Sequence, residues 1–132
     1  MMHTIINPKT LSDPRGYSNG MLCSPGRILF VAGQVGWDSS SRITSETFAG
    51  QFEQALRNVL EVVREAGGKP EHIGRMTLYV TDVAAYTRDA KRVGEHYRAL
   101  VGKHYPAMTL VQVAALLEEG AMVEIEATAV IP

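Results

Sequence analysis

The strict alternation in the closing stretch VEIEATAV constrains this chain more than any other feature. Side chains alternate across a strand, so Val123, Ile125, Ala127 and Ala129 share one face, and Glu124, Glu126, Thr128 and Val130 share the other. The first set is a core face. The second carries two carboxylates about 7 Å apart along the strand, and it needs either water or a polar partner surface opposite it.

The rest of the chain says what could cover those faces. HTII near the start suggests a short strand before the turn-rich NPKTLSDPRG. GRILFVAGQVGW is rich in β-branched and aromatic residues between turn signals, which predicts a strand, and YSNGMLC just before it is expected to pair with it as an antiparallel hairpin. Over residues 46–66, Phe48, Phe52, Ala55, Leu56, Val59, Val62, Val63 and Ala66 recur at spacings of three and four, which predicts an amphipathic helix. Thr44 or Ser45 can cap its start, and Gly67, Gly68 and Pro70 end it. HIGRMTLYVTD reads as a strand with Met76, Leu78 and Val80 on one face and Arg75, Thr77, Tyr79 and Thr81 on the other. Asp82 then caps a second helix, with the stripe Tyr86, Ala90, Val93, Tyr97, Leu100 and Val101, ending at Gly102. Strands near residues 107–114 and 122–131 follow, separated by LEEGA.

This order predicts a single α+β domain over residues 1–132, a mostly antiparallel sheet with two helices on one face. The uncovered face carries Thr77, Tyr79, Gln112 or its neighbours, Glu124, Glu126 and Thr128. An antiparallel sheet can be solvated on one side. This mixture is nevertheless too polar for a closed core and rather apolar for free solvent, which points to self-association and polar clefts between subunits.

Composition prunes the function classes. With 45% apolar and 20% charged residues the chain is expected to fold. A formal net charge of -1 with interspersed signs offers no footprint for nucleic acid or an anionic membrane. No apolar run approaches the roughly 20 residues of a membrane span, and the N-terminus lacks a signal pattern, so a cytoplasmic location is expected. The lone Cys23 can form no internal disulfide, and His3, His72, His96 and His104 lie singly on separate elements, so no metal site is expected. The phosphate-cradling, dinucleotide and serine-hydrolase motifs GxxxxGK[ST], GxGxxG and GxSxG are absent.

Glu124 and Glu126 are the candidate chemistry. Two carboxylates at about 7 Å repel by only about 2 kcal/mol at an effective dielectric of 20, so both can ionise. One seated in an apolar cleft would become a proton-transfer group near neutral pH. The other reading is structural: each pairs with an arginine or a backbone donor at a subunit interface.

The ordered set GYSNG, LFVAGQ, EAGGK, RMTLYVTD, YPAMTLVQVAAL and VEIEATAV resembles the Rid or YjgF family of imine and enamine deaminases along nearly the whole chain. The resemblance implies a chorismate-mutase-like fold, a homotrimer, and active-site clefts between adjacent subunits. It also implies cofactor-free hydrolysis of small imino acids such as 2-iminopropanoate to a keto acid and ammonia. Carried over by position, the family tyrosine falls on Tyr17, the carboxylate that directs water on Glu124, and the cleft glycine on Gly33.

Three departures accompany these matches. The family's carboxylate-binding arginine follows a Pro-Ala pair, where this chain has Met108. A small hydroxyl residue before the cleft glycine is replaced by Ala32, and a position often held by cysteine carries Leu110. Losing a charge-assisted contact of roughly 1.5–3 kcal/mol per hydrogen bond weakens binding of a small imino acid. Ala32, Met108 and Leu110, with Trp37 a further candidate, suit a larger, less polar imine or enamine. Arg15, two residues before Tyr17, is the candidate replacement for the missing charge. Two functions are therefore carried forward: an imine or enamine deaminase using Tyr17 and Glu124, and a non-catalytic trimer that binds a small molecule or a partner protein in the same cleft. The ribonuclease activity attached to some family members is disfavoured by the near-neutral charge and the lack of a histidine pair.

Overall fold

The computed structural model describes residues 2–132. Its order is β1 (Thr4–Ile6), β2 (Gly20–Leu22), β3 (Arg27–Val35), α1 (Phe48–Glu65), a 3-10 turn (Pro70–His72), β4 (Ile73–Val80), α2 (Val83–Arg88), α3 (Ala90–Val101), β5 (Ala107–Gln112) and β6 (Val123–Ile131). The main sheet runs β3-β6-β4-β5. β6 is antiparallel to both of its neighbours, whereas β4 and β5, joined through α2 and α3, are parallel. This is the α+β architecture expected.

β6 carries the alternation that its sequence demands. Val123, Ile125 and Ala129 are completely buried and Ala127 nearly so, while Glu124, Glu126, Thr128 and Val130 are half-buried on the opposite face. The buried row meets Phe52, Leu56, Val59 and Val63 of α1, together with Met76 of β4 and Val93 and Tyr97 of α3. Truncating a side chain such as Leu56 in that layer would cost about 2–5 kcal/mol.

Three local expectations are corrected. The expected hairpin between YSNGMLC and β3 does not form: β2 pairs with β1, Ile5 opposite Met21, in a separate two-stranded sheet. Contacts distant in sequence override the short connection. The Ser18 N–H donates to the Pro106 carbonyl at 3.1 Å, and the Asn19 N–H donates to Asn7 Oδ1 at 2.8 Å. Thr47, not Thr44 or Ser45, caps α1, accepting from the Gly50 N–H at 3.1 Å. Thr44 is engaged in closing the preceding loop, its N–H donating to the Gly36 carbonyl at 3.0 Å. The second predicted helix is divided into α2 and α3 at Asp89, whose carboxylate accepts from the Ala49 N–H in the first turn of α1 at 3.0 Å. That contact satisfies one of the donors a helix start leaves open.

Candidate active site

The sheet separates the sequence-derived site residues into two groups, one on each face. Glu124 projects from β6 onto the face the helices leave open, level with Tyr79 of β4. Beside it β3 is irregular: the register slips between Val31 and Gln34, placing Ala32 and Gly33 in a bulge. Bulges re-aim the chain locally and are common at active sites. The Glu124 carboxylate lies directly on the Gly33 Cα, so a Cβ there would stand 2.8 Å from Glu124 Cδ and collide with Oε2. Only glycine leaves room for the carboxylate in that position.

The neighbouring carboxylate is held differently. Tyr79 donates its hydroxyl to Glu126 Oε1 at 3.1 Å. That hydrogen bond, then desolvation and the negative charges of Glu126 and Glu124, raise the Tyr79 pKa above its ordinary value. Glu126 also borders a small pocket of about 140 Å³ with Arg75, Thr77 and Thr128. Glu124 has no side-chain hydrogen-bond partner among the described residues. One carboxylate of the pair is engaged and the other is free.

Met108 and Leu110 stand on the other face. In the parallel β4–β5 ladder Met108 pairs with Met76 and Leu110 with Leu78, and both pack against the helix-side core. Met108 lines a pocket of about 260 Å³ under α3, floored also by Met76 and Leu78 and walled by Tyr86, Tyr97 and Tyr105. Tyr97 and Tyr105 stack with ring centroids 5.4 Å apart, and the Tyr97 hydroxyl donates to the His104 carbonyl at 2.6 Å. Burial raises the Tyr97 pKa well above its ordinary value.

Tyr17 is exposed and stands beside this second group without lining the pocket. Its neighbour Ser18 is pinned to the start of β5 through the Pro106 and Tyr105 carbonyls, and Gly16 lines the pocket mouth. Arg15 is exposed and does not line that pocket; nor does Trp37. The arginine at its rim is Arg98, which the sequence reading did not single out. Its signal was Gly94, one helical turn earlier, where a helix interior rarely uses glycine because it costs about 1 kcal/mol relative to alanine. Among the described residues no cluster of three or more His, Cys, Asp or Glu could hold a metal ion, and no helix is long and apolar enough to cross a membrane.

Comparison with known proteins fixes the family. Residues 9–131 match the family described as endoribonuclease L-PSP. The chain belongs to that family, also called Rid or YjgF. It is 33% identical over 115 residues to the human 2-iminobutanoate/2-iminopropanoate deaminase, covering 86% of this chain and 79% of that one. It is 35% identical over 129 residues to a RutC family protein of Aquifex aeolicus, covering 98% and 99%. Among solved structures, a Rid-family protein of unknown function from Yersinia pestis, YyfB, superimposes with a TM-score of 0.84 at 30% identity, over 99% of this chain and all of that one. The fold is therefore that of the Rid proteins, and imine deamination is an activity named within the family.

Proposed function

We propose that this Rid protein hydrolyses a reactive imine or enamine to a carbonyl compound and ammonia, in clefts completed between the subunits of a homotrimer. The single observation that carries this reading is the Glu124 carboxylate seated on Gly33, without a side-chain partner, beside a bulged strand. The relatives named as 2-iminobutanoate/2-iminopropanoate deaminases supply the reaction class.

The chemistry needs little from the protein. Glu124 accepts a proton from water as its oxygen attacks the imine carbon, and returns a proton to nitrogen. The resulting carbinolamine loses ammonia and becomes a carbonyl. An imine and one water go in; a carbonyl compound and one ammonia come out. Tyr17 offers a hydroxyl to the substrate or to the developing charge. No metal or organic cofactor has a step to perform.

The position of the two groups supports self-association. Met108 lies on the helix side and Glu124 on the open side of the same sheet, so one chain does not present both to one substrate, and Tyr17, beside the start of β5, would join the Met108 side. Adjacent copies can present both. The open face also exposes Ile28 at 63%, Phe30 at 78% and Val111 at 40%, apolar area that a partner copy would remove from water.

Met108 at the pocket floor favours a substrate larger or less polar than 2-iminopropanoate. The charge balance given above argues against nucleic acid as a partner. An observation also favours the non-catalytic reading: methionine stands where the resemblance places the carboxylate-binding arginine. Generating imines in situ with an amino-acid oxidase and following ammonia release separates the two. Aromatic and branched precursors should give faster release with the protein than without it, and light scattering should give a mass near three times 14.4 kDa. A stable monomer, or no acceleration with any precursor, would overturn the proposal.

A further inference from the structure

We infer that Arg98 binds the carboxylate of the substrate at the mouth of the helix-side pocket, and that the substrate is an aromatic or branched apolar 2-imino acid whose side chain enters the pocket first. The inference rests on the deaminase reading for the word substrate. The binding it describes does not depend on turnover.

The pocket is apolar below and cationic above. Met76, Leu78 and Met108 form its floor, the stacked Tyr97 and Tyr105 form a wall, and Gly94 and Arg98 lie at its rim. Arg98 is exposed, and its guanidinium folds back along α3: Nη1 lies 3.3 Å from the point a Cβ of Gly94 would occupy. A side chain at position 94 would press on the guanidinium where it now lies. The ion pairs among the described residues join Arg57 and His96 to Glu53, and Arg64 to Glu61, leaving Arg98 without a partner. The pocket therefore presents a free planar donor fork above about 260 Å³ of mostly apolar space. That volume is just below the usual range of about 300–1,000 Å³ for ligand sites and suits a molecule of amino-acid size.

The arrangement fixes the direction of binding. An arginine at position 108, on the floor, would draw a carboxylate inward. With methionine on the floor and the guanidinium at the rim, the polarity is inverted: the apolar body goes down and the carboxylate stays up, where two parallel hydrogen bonds to the fork can form. The 2-imino carbon, bonded to that carboxylate, is then held near the mouth, facing outward toward a neighbouring copy's Glu124. A small imino acid has no side chain to fill the floor, so it gains only the rim contact.

Equilibrium titration with phenylpyruvate, a hydrolytically stable 2-oxo analogue, tests this without requiring catalysis. Phenylpyruvate should bind at least tenfold more tightly than pyruvate. Arg98→Met should weaken it about tenfold or more, while binding of the neutral 1-phenylpropan-2-one changes little. Arg98→Lys should recover part of the loss, because lysine restores charge without the fork. Arg64→Met, at an exposed arginine of α1 that does not line this pocket, should leave phenylpyruvate affinity within about twofold. Unchanged phenylpyruvate affinity in Arg98→Met, with the assembly mass unchanged, would overturn the inference and leave deamination standing. The expected affinities in a protein that accelerates no imine hydrolysis would support the site and sink the deaminase reading.

Discussion

Glu124 lies so close to Gly33 that its carboxylate occupies the space any side chain at position 33 would need. The two residues come from neighbouring strands and meet because β3 bulges between Val31 and Gln34. The bulge exposes glycine backbone to the carboxylate at a point where a regular ladder would place a side chain. Without a side chain at position 33 the carboxylate can lie flat against the strand.

Gly33→Ala should therefore damage catalysis more than folding. Gly33 is not among the glycines with positive φ, so alanine suits its backbone, and the clash falls on the movable end of a half-buried side chain. Displacing a reacting group by about 1 Å can cost on the order of 10² in rate. Thermal melting should move by only a few degrees while ammonia release falls by about that factor. Normal turnover in Gly33→Ala would show that the carboxylate does not act from where it lies.

Subunit mixing tests whether the two groups cooperate across copies. Tyr17→Phe and Glu124→Gln are each expected to be poorly active alone, since each damages every cleft. Trimers refolded from a mixture contain some clefts that pair an intact Tyr17 side with an intact Glu124 side, and activity should rise above that of either variant. A mixture no more active than its parts, with mixed trimers demonstrated by native mass spectrometry, would place both residues in one chain's site.

Tyr97 gives the fold an alkaline limit. Its hydroxyl ionises in the unfolded chain near its ordinary value of 10.0, but burial and then the neighbouring Tyr105 raise that pKa in the folded chain. The folded state thus holds a proton that the unfolded state releases. The stability linked to Tyr97 is complete below about pH 10 and is lost as pH rises from there toward the folded pKa. Tyr97→Phe should be less stable at pH 7 by about 1 kcal/mol, the usual net worth of the hydrogen bond to the His104 carbonyl that it removes. Its decline above pH 10 should be shallower than in the parent. Parallel declines would assign the alkaline loss to other groups.

What the sequence revealed follows the physical reach of each signal. The β6 faces were legible because alternation is local and every second residue is apolar, and α1 was legible from its stripe. The partner of β2 was not, because a short connection favours a hairpin while the contacts that prevent it, Ser18 to Pro106 and Asn19 to Asn7, link distant positions. Resemblance could align Tyr17, Gly33, Met108 and Glu124, but no local pattern says that Met108 and Glu124 lie on opposite faces. That follows from the register of β4 with both neighbours. Arg98 reads as a solvated helix arginine until Gly94 is seen beneath its guanidinium.

The role of Glu124 as the group that directs water is tested most directly by the rate of ammonia release in Glu124→Gln, measured beside Glu126→Gln on the same strand face. Glutamine keeps the shape and most hydrogen bonds of glutamate but removes its charge and basicity. Turnover of the best imine should fall by roughly 10² to 10⁴ in Glu124→Gln, with assembly mass and melting temperature nearly unchanged, while Glu126→Gln, whose side chain can still accept from Tyr79, retains most activity. Equal losses in both variants, or a loss in Glu124→Gln that only tracks the fraction of folded protein, would contradict the assignment.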